Sequence, residues 1–426
     1  MTGTTDPIRS PRPFIAPASG SASKSTSRST SGSTSASALA SAIPFASGPA
    51  STFEPPSEPP SGTASGAASE GRAPSDVLGV RAARLRSAEL EELIRRDPRG
   101  FRISTGDRPT GRLHLGHYFG TLHNRVRLQN LGVELFVVVA DYQVLTDRDV
   151  ADRLAEHVEE LVLDYLAVGV DPARSTIFAH SAVPALNQLL LPFLSLVSVA
   201  ELGRNPTVKD EIAHSRRSAV SGLMFTYPAH QAADILFCKA NLVPVGQDQL
   251  PHLELSRVVA RRLNHRYGGG RAVLPEPEAL LSAAPLLLGT DGAKMSKSRG
   301  NAIALAAGAD ETARLIRGAR TDAERHITYD PETRPEVSSL VLLTALCLGR
   351  DPRQVADDIG GAGASALKAA ATEAVNEHLA PMRARRAMYA EDRGHVRRVL
   401  REGGERASAI AETTLREVRA AMGTLY

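Results

Sequence analysis

The sequence predicts an α/β protein, with a Rossmann-like, doubly wound parallel sheet, an α-helical C-terminal domain and a disordered N-terminal extension. Three observations support this fold class. Strand and helix patterns alternate from Phe101 to Ser181, which is the order of a doubly wound sheet. Helical patterns dominate from about Glu311 onwards. A tract rich in Ser, Ala and Thr fills roughly the first 75 residues.

The composition limits the classes of protein to consider. With 426 residues, 23% of them charged and 42% hydrophobic, the chain is long enough for two or three domains. Its longest apolar run, LLLPFLSLVSVA, is shorter than the roughly 20 residues that span a bilayer, so we expect a buried helix there and no membrane association. Two cysteines, without a CxxC spacing or a Cys/His cluster, predict neither a disulfide framework nor a metal site. A net charge of +3 permits nucleic-acid binding without requiring it.

The disordered extension is assigned to residues 1–95. Its Ser/Ala/Thr tract and its EPPSEPPSG segment have too little apolar area to offset the entropy of ordering them. The early part is also poor in acidic residues, as transit peptides are, but it lacks a clear amphipathic helix bearing arginines. We therefore favour a cytoplasmic low-complexity tail. A short helix starting near DVLGVRAARLRS is expected to lead into the folded part.

The central domain is assigned to residues 96–308. FRISTG is predicted to be a strand that runs into a glycine turn, and a helix follows from about His114 to Leu128. VELFVVVAD is a continuous apolar run, which indicates a parallel strand buried on both faces. An amphipathic helix then ends at Gly169, and STIFAHS forms a third strand. Beyond Ala185 the pattern is mostly helical, with an extended segment near APLLLGTDG.

The stretch RPTGRLHLGHYFGTL joins the first strand to the first helix of the domain. Free backbone N–H groups and the helix dipole make such a helix start favourable for anions. His114 and His117 are three residues apart and face the same way, while Gly116 leaves space for a flat ligand. Two imidazoles there suit the charge that develops during phosphate transfer. Alternatively, the glycines tighten packing and both histidines are surface residues.

A second stretch, GTDGAKMSKSRGN, contains two lysines on a loop bounded by glycines. Ammonium groups three residues apart on a mobile loop can close over a polyphosphate and bind the leaving pyrophosphate as its charge grows. The alternative is a solvated basic loop, the usual environment of a short charge run. The presence of both stretches in one chain, with an α/β unit between them, favours the phosphate site.

HLGH resembles the first signature of class I aminoacyl-tRNA synthetases, and KMSKS is their full second signature. The resemblance extends from about Phe101 to Gly423. The segment FTYPAHQAADILFCKANLVPVGQDQLPHLELSRVVARRLN is similar to the matching part of tryptophanyl-tRNA synthetases, and YLAVGVDP and LGRNPTVKDE resemble that family too. Tyrosyl enzymes are the nearest relatives of that family. The resemblance thus implies a synthetase catalytic domain over residues 96–308 and a helical domain over residues 309–426 that binds the tRNA anticodon.

The resemblance also implies three groups of site residues. The groups that would stabilise the phosphates during catalysis are His114, His117, Lys294, Lys297 and Lys209. The positions that would line the ATP site are Gly106, Arg108, Gly116, His117, Gly246, Asp248, Met295, Ser296 and Ser298. The side chains that would hold the amino acid are Asp234, Gln231, Tyr227, Gln143 and Gln249.

The chemistry of Asp234 also follows from elementary arguments. Tryptophan differs from phenylalanine and tyrosine by a ring N–H that only donates. A buried carboxylate that needs this donor is left unpaired when phenylalanine binds, which penalises the wrong ligand. The alternative for Asp234 is a helix cap or a salt bridge. Within AADIL we favour the contact with the indole.

The chain departs from many bacterial tryptophanyl enzymes at three positions. They carry threonine and asparagine where this chain has His114 and His117, and histidine where it has Gln143. Gln143 can still form hydrogen bonds but does not titrate near neutral pH. These departures indicate a divergent subgroup, and they put in doubt any inhibitor profile inferred from the family.

The function expected from the resemblance is ATP-dependent activation of L-tryptophan followed by its transfer to tRNA(Trp), by a cytoplasmic homodimer. Mg²⁺ would accompany ATP without a dedicated protein site. Two alternatives stay open: a tyrosine enzyme on the same frame, and a catalytically silent paralogue that binds RNA or regulates. Basic residues of the C-terminal helices would meet the anticodon end, although a surface helix with many arginines is often merely solvated. These residues are Arg383, Arg385, Arg386, Arg397 and Arg398.

Overall fold

The centre of the protein is a parallel sheet of five strands in the order β3–β2–β1–β4–β5. The computed structural model describes residues 74–146, 153–206, 208–209, 220–246, 249–281, 287–296 and 299–426. Within these ranges the strands are β1 (Arg102–Asp107), β2 (Glu134–Val139), β3 (Ser175–Ala179), β4 (Leu242–Val245) and β5 (Glu278–Leu281). All described pairings are parallel, and in register Gly106 of β1 lies opposite Val138 of β2.

Helices cover both faces of this sheet. In chain order and within the described ranges, they are α1 (Pro74–Arg96), α2 (Leu115–His117), α3 (His123–Leu131), α4 (Leu154–Val168), α5 (Pro184–Gln188), α6 (Leu190–Leu194), α7 (Val199–Arg204), α8 (Gly222–Leu236), α9 (Leu250–Tyr267), α10 (Ala309–Arg317), α11 (Pro335–Leu348), α12 (Pro352–Ile359), α13 (Gly363–Glu391) and α14 (Arg393–Ala421). Between α2 and α3 the chain forms a π turn over Tyr118–Leu122.

Local signals set several helix ends. α4 ends at Gly169 and α3 at Gly132, both in the left-handed conformation that glycine adopts without steric cost. Ser221 begins α8, and its hydroxyl accepts the N–H of Met224 at 3.1 Å. The helix predicted to end at Gly169 is therefore confirmed.

Strand β2 contributes to two cores, one on each face of the sheet. Leu135, Val137 and Val139 pack into one cluster, whereas Phe136 and Val138 pack into the other. This alternation confirms the strand predicted from VELFVVVAD to be buried on both faces. It also confirms the doubly wound architecture, since helices on both sides of the sheet bury the consecutive residues from Leu135 to Val139 of this central strand.

The sequence analysis did not predict β4 and β5. β4 has the sequence LVPV, and the proline favours neither a helix nor a central strand. β5 has the sequence EALL, whose residues are good helix formers. Strand pairing across the sheet determines both segments, and local propensity does not reveal it. The predicted strands FRISTG and STIFAHS correspond to β1 and β3 and are confirmed.

The strand order reverses between β1 and β4. In open parallel sheets, ligands bind in the crevice outside the carboxyl ends of the strands at such a reversal. β1 ends at Asp107 and β4 ends at Val245, immediately before Gly246. The fold therefore places the first signature stretch and the glycine of VGQDQ at the same edge of the sheet.

The N-terminal helix α1 begins within the segment assigned to the disordered extension. It packs against the edge strand β5, where Arg86 pairs with Glu278 at 2.6 Å. The hydroxyl of Ser87 accepts the N–H of Leu281 at 2.9 Å. The folded part therefore starts before the predicted boundary at residue 95, and residues 1–73 lie outside the described ranges.

The segment 309–426 is helical, as expected, but its last two helices pack directly on the sheet layer. α13 lies against α4, and α14 lies against β3. A Cβ atom on Gly403 of α14 would lie 1.8 Å from the carbonyl oxygen of Ile177 in β3, so only glycine allows this approach. The described residues from 74 onwards belong to one compact unit.

The C-terminal arginines assigned to the tRNA contact also bind groups of their own chain, and their contact with tRNA stays a prediction. Arg386 pairs with Asp164 of α4 at 2.7 Å, Arg385 donates to the carbonyl of Ala167 at 2.7 Å, and Arg397 pairs with Glu159 at 2.7 Å. Arg383 and Arg398 also have partners on their own chain. The partners of Arg385, Arg386 and Arg397 all belong to α4, and the sequence alone does not show that these helices are close.

No helix in the described ranges is long and apolar enough to cross a membrane. Both Cys238 and Cys347 are free thiols. Within the apolar run LLLPFLSLVSVA, α6 buries Phe193 completely but leaves Leu191 72% exposed, so the predicted buried helix is short and only partly buried.

Behind the first signature stretch, Arg125 is 2% exposed and pairs with Asp107 at 2.5 Å. The hydroxyl of Tyr165 donates to the same carboxylate at 2.7 Å. Burial opposes ionisation of Asp107, but the charge and hydrogen bond of Arg125 outweigh it and lower the pKa of this carboxyl to about 2. This network fixes the carboxyl end of β1.

We predict that Gly403→Ala destabilises the protein and that the neighbouring change Gly404→Ala does not. The added Cβ at position 403 would overlap the backbone of Ile177, and such overpacking costs typically about 1–3 kcal/mol. At position 404 the Cβ would make an ordinary contact of 3.6 Å with Ala182, and alanine gains up to about 1 kcal/mol in helix propensity. Urea unfolding of both variants measures the difference. Equal stabilities would contradict the packing of α14 on β3.

We also predict a pH dependence of stability that Asp107 causes. Its folded pKa of about 2 lies below the unfolded value of about 4, so its contribution is fully present above pH 4 to 5. That contribution is lost as the pH falls towards 2, by about 2 kcal/mol. The free energy of unfolding, measured from pH 6 to 2, should fall more steeply in the wild type than in Asp107→Asn. Parallel curves would show that this carboxylate is not responsible.

Candidate active site

The two signature stretches lie side by side at the carboxyl edge of the sheet. Backbone hydrogen bonds join them: the N–H of Leu115 donates to the carbonyl of Ile303 at 3.0 Å, and the N–H of Leu305 donates to that of Leu113 at 2.9 Å. His114 and Ala304 form an antiparallel bridge between these bonds. The segment that follows KMSKS therefore pairs like a short strand with HLGH.

His114 and His117 face the same way, as their spacing predicts. Their ring centroids are 3.7 Å apart, and the backbone N–H of His114 donates to Nδ1 of His117 at 3.3 Å. His114 is 6% exposed and His117 is partly buried, so the alternative of two surface histidines is wrong. His114 is the N-cap residue of α2, and His117 is its last residue.

Gly116 of the first signature lies close to Met295 of the second. A Cβ at this position would lie 3.1 Å from the His114 imidazole and 3.4 Å from Sδ of Met295 in KMSKS. The space expected for a flat ligand is therefore shared with these two side chains. The glycine lets the loop of the second signature rest on the helix start of the first.

The KMSKS loop is organised by Asn301, which the sequence analysis did not identify. Its side-chain oxygen accepts the N–H of Ser296 at 2.8 Å, and its amide nitrogen donates to Asp291 at 2.6 Å and to the carbonyl of Lys294 at 3.2 Å. Asn301 is 2% exposed. Its position directly after KMSKSRG was the only signal in the sequence. Lys294 is exposed, whereas Lys297 and Ser298 lie outside the described residues.

The remaining residues assigned to ATP lie around the ends of β1 and β4 or outside the described ranges. Gly106 is exposed, yet a Cβ there would lie 2.2 Å from the carbonyl oxygen of Val138, so the close pairing of β1 and β2 requires glycine. Arg108 is exposed next to it. The carbonyl of Gly246, after β4, accepts the N–H of Gln249 at 3.1 Å.

Of two further residues assigned to the phosphates or the ribose, one is exposed and the other lies outside the described ranges. Lys209 is exposed, and its backbone N–H donates to the carbonyl of Asn205 at 3.1 Å. Asp248 lies outside the described residues.

Asp234 lies inside α8 and is 7% exposed. One oxygen, Oδ2, accepts from the amide nitrogen of Gln143 at 3.1 Å, and the other, Oδ1, contacts Nδ1 of His180 at 3.1 Å. The hydroxyl of Ser104 in β1 donates to its backbone carbonyl at 2.6 Å, which ties α8 to the sheet. Asp234 is therefore not a helix cap, and its charged partner is a histidine that the sequence analysis missed.

Tyr227, Gln231 and Asp234 follow one another on α8 at spacings of four and three residues, so they lie on one face of the helix. Tyr227 is 6% exposed, and its hydroxyl lies 3.4 Å from Nε2 of His252. Gln231 is partly buried. The structure thus brings together, on one helix face and with Gln143 opposite, four of the five residues assigned to the amino acid.

His180 follows β3 directly and is completely buried. Burial alone would lower its pKa, but the carboxylates of Asp234 and Asp141 outweigh this effect and raise the pKa. Its ring stacks on that of His230 with centroids 4.6 Å apart, and burial lowers the pKa of His230. A polar residue at the carboxyl end of a parallel strand was the signal that the sequence offered for this site.

Donor atoms of His180, His230 and Asp234 lie within 4.8 Å of one another, close enough to consider a metal ion. However, His180 and Asp234 hydrogen-bond to each other, and Nε2 of His230 contacts Oδ1 of Asn187 at 2.8 Å. The two imidazoles stack, whereas metal ligands converge on one point. The geometry therefore suits a hydrogen-bonded network.

Comparison with known proteins agrees with this geometry. The family described as "tRNA synthetases class I (W and Y)" matches residues 96–380. Tryptophan–tRNA ligase of Clostridium longisporum is 41% identical over 333 residues, covering 76% of this chain and 97% of that protein. The corresponding ligase of Streptococcus pyogenes serotype M1 is 43% identical over 340 residues, covering 76% and 98%.

Solved structures give the same result. Tryptophanyl-tRNA synthetase of Campylobacter jejuni, complexed with ADP and tryptophan, superimposes with a TM-score of 0.65 at 27% identity, covering 76% of this chain and 99% of that chain. The enzyme of Mycoplasma pneumoniae gives a TM-score of 0.66 at 27% identity, covering 76% and 97%. The chain therefore belongs to the class I aminoacyl-tRNA synthetases, in the family that comprises the tryptophan and tyrosine enzymes.

Proposed function

We propose that the protein activates L-tryptophan with ATP and transfers the tryptophan to tRNA(Trp). The observation that carries the choice of amino acid is the buried carboxylate of Asp234 on the face of α8 that also holds Tyr227 and Gln231. The curated relatives that support it are tryptophan–tRNA ligases at 41% and 43% identity.

In the first step, a carboxylate oxygen of tryptophan attacks the α-phosphorus of ATP. The bond from this phosphorus to the bridging oxygen breaks, and pyrophosphate leaves with the electron pair. ATP would arrive with Mg²⁺ bound to its phosphates, as a co-substrate. His114 and His117 would donate hydrogen bonds to the phosphates, and Lys294 would bind the leaving pyrophosphate. Positioning and charge stabilisation supply the catalysis, without a covalent enzyme intermediate.

The amino acid would be selected by an acceptor. Asp234 offers only acceptor atoms, and the indole N–H of tryptophan is a donor that neither tyrosine nor phenylalanine has in its ring. A phenolic hydroxyl could also donate to a carboxylate, so a tyrosine enzyme on this frame is the competing proposal. Gln143 donates an N–H to Asp234 at 3.1 Å, so this amide supports the carboxylate.

In the second step, the tryptophanyl group would pass from the adenylate to the terminal ribose of tRNA(Trp), with release of AMP. We propose that segment 309–426 contacts the tRNA, and that the protein acts in the cytoplasm as a homodimer. The family resemblance supports these proposals. A catalytically silent paralogue is disfavoured because the two signatures are held against each other by backbone hydrogen bonds.

We expect ATP–pyrophosphate exchange that depends on tryptophan and not on tyrosine. In Asp234→Asn, which keeps the shape but removes the charge, the KM for tryptophan should rise about tenfold to a hundredfold, since hydrogen bonds to charged groups contribute about 1.5–3 kcal/mol. Steady-state exchange at varied concentrations of tryptophan measures the substrate dependence and the KM. Tyrosine-dependent exchange in the wild type would overturn the assignment of tryptophan as the substrate. An unchanged KM in Asp234→Asn would overturn the role of the carboxylate.

We also expect Asn301→Ala to slow exchange by about tenfold or more at saturating tryptophan. The variant loses the hydrogen bonds that shape the KMSKS loop, each of which contributes about 0.5–1.5 kcal/mol. The effect should fall on kcat and on the KM for ATP, with the KM for tryptophan unchanged. Asn130→Ala, an exposed change far from the loop in sequence, serves as the control. Equal rates in the two variants would contradict this role.

A further inference from the structure

We propose that His180 is a positioning residue that determines specificity: its imidazole fixes the Asp234 carboxylate in the orientation that accepts the indole N–H. This inference rests on the proposed function, because it assumes that Asp234 receives this N–H. It assigns a task to a buried ionisable side chain that the proposed mechanism has not used.

His180 is placed by the sheet. It follows the last residue of β3, next in the sheet to β2, and has no exposed surface. Its Nδ1 lies 3.1 Å from Oδ1 of Asp234 on α8, so the contact joins the carboxyl edge of the sheet to the helix that carries the amino-acid site. If this contact were lost, the described hydrogen bond left to the Asp234 side chain would be the one from the neutral amide of Gln143.

The backbone sets which nitrogen of His180 carries hydrogen. The N–H of Tyr142 points to Nε2 at 2.8 Å and is shared with Oδ1 of Asp141 at 3.1 Å. Nε2 therefore accepts in the neutral ring, which leaves the hydrogen on Nδ1. In the doubly protonated ring, which carries one positive charge, the hydrogen on Nε2 would face Asp141 Oδ1 at 3.2 Å, and Nδ1 would again carry a hydrogen. In both states Nδ1 donates to Asp234.

The imidazole has little freedom to move away. It stacks on His230 with an angle of 30° between the ring planes. Asn187 holds both residues: its amide nitrogen donates to the backbone carbonyl of His180 at 2.6 Å, and its oxygen contacts Nε2 of His230 at 2.8 Å. A rigid donor of this kind is what preorganises a neighbouring group for a ligand.

A fixed carboxylate discriminates better than a mobile one. An ionised carboxylate offers about four acceptor positions, and His180 and Gln143 each occupy one, on different oxygens. The remaining acceptor positions can receive a hydrogen-bond donor of a ligand only along fixed directions. When a ring without the N–H binds, a fixed oxygen keeps one acceptor position desolvated and empty, whereas a mobile carboxylate can turn to another donor and escape the penalty. Holding Asp234 therefore increases the preference for tryptophan.

The test compares two substitutions of similar size. In His180→Asn the side-chain amide can replace Nδ1 and keep the donor to Asp234. In His180→Gln the amide reaches the position of Nε2 and can keep the partner of Tyr142, but it loses the donor to Asp234. Each variant is assayed by ATP–pyrophosphate exchange with L-tryptophan and with 3-benzothienyl-L-alanine, in which sulfur replaces the indole N–H. His230→Gln, which disturbs the stacked ring without removing a hydrogen bond to Asp234, is the matched control.

We expect His180→Gln to raise the KM for tryptophan about tenfold, while the KM for the sulfur analogue changes less than about threefold. The preference for tryptophan should then fall nearly tenfold, and His180→Asn should restore most of it. His230→Gln should weaken both substrates alike. Equal losses for the two substrates in His180→Gln, or no loss for either, would overturn the inference. Asp234→Asn in the same assay separates the two proposals: if it leaves the preference intact, the proposed pocket fails, and if it alone abolishes the preference, only the role of His180 fails.

Discussion

The catalytic centre depends on one pairing, between Leu113–Leu115 and Ile303–Leu305. These two segments are distant in the chain, and the backbone hydrogen bonds between them bring the two signatures to the same place. Asp164 strengthens this pairing from behind, because one of its oxygens accepts the N–H of Leu113 at 2.8 Å and the other binds Arg386. The first signature is therefore held by the loop of the second and by the C-terminal helices, and the switch point of the sheet alone would not fix it.

The proposed amino-acid site follows a different principle. An apolar slot would accept several aromatic rings with small differences in affinity, since one methylene or hydroxyl changes binding little. This site instead places charge in a buried region and surrounds it with directed donors. Asp234 is stabilised by His180 and Gln143, and His180 in turn by Tyr142 and Asp141. A buried polar network of this kind costs free energy unless every group is paired, and a ligand with the wrong ring leaves one unpaired.

The sequence was sufficient for features that local patterns encode. The strand of VELFVVVAD, the helix that ends at Gly169 and the shared face of His114 and His117 follow from periodicity and spacing, and the structure has all three. The sequence was insufficient where contacts between residues far apart in the chain determine the structure. LVPV becomes a strand only because β1 and β5 flank it. Asn301 and His180 act through partners far away in the chain, and the C-terminal arginines find acids on α4 that no local pattern links to them.

The packing of α14 on β3 has a consequence for the synthesis of the protein on the ribosome. Arg406 of α14 reaches the carbonyl of Pro172, 234 residues earlier in the chain. During synthesis the outer face of β3 therefore emerges long before its cover, and the nascent chain carries an apolar sheet surface through most of translation. Domains with such late contacts fold slowly and expose aggregation-prone intermediates. The protein should thus rely on chaperones until α14 has been synthesised, and truncations within that helix should be cleared by proteases although every residue of both signatures is present.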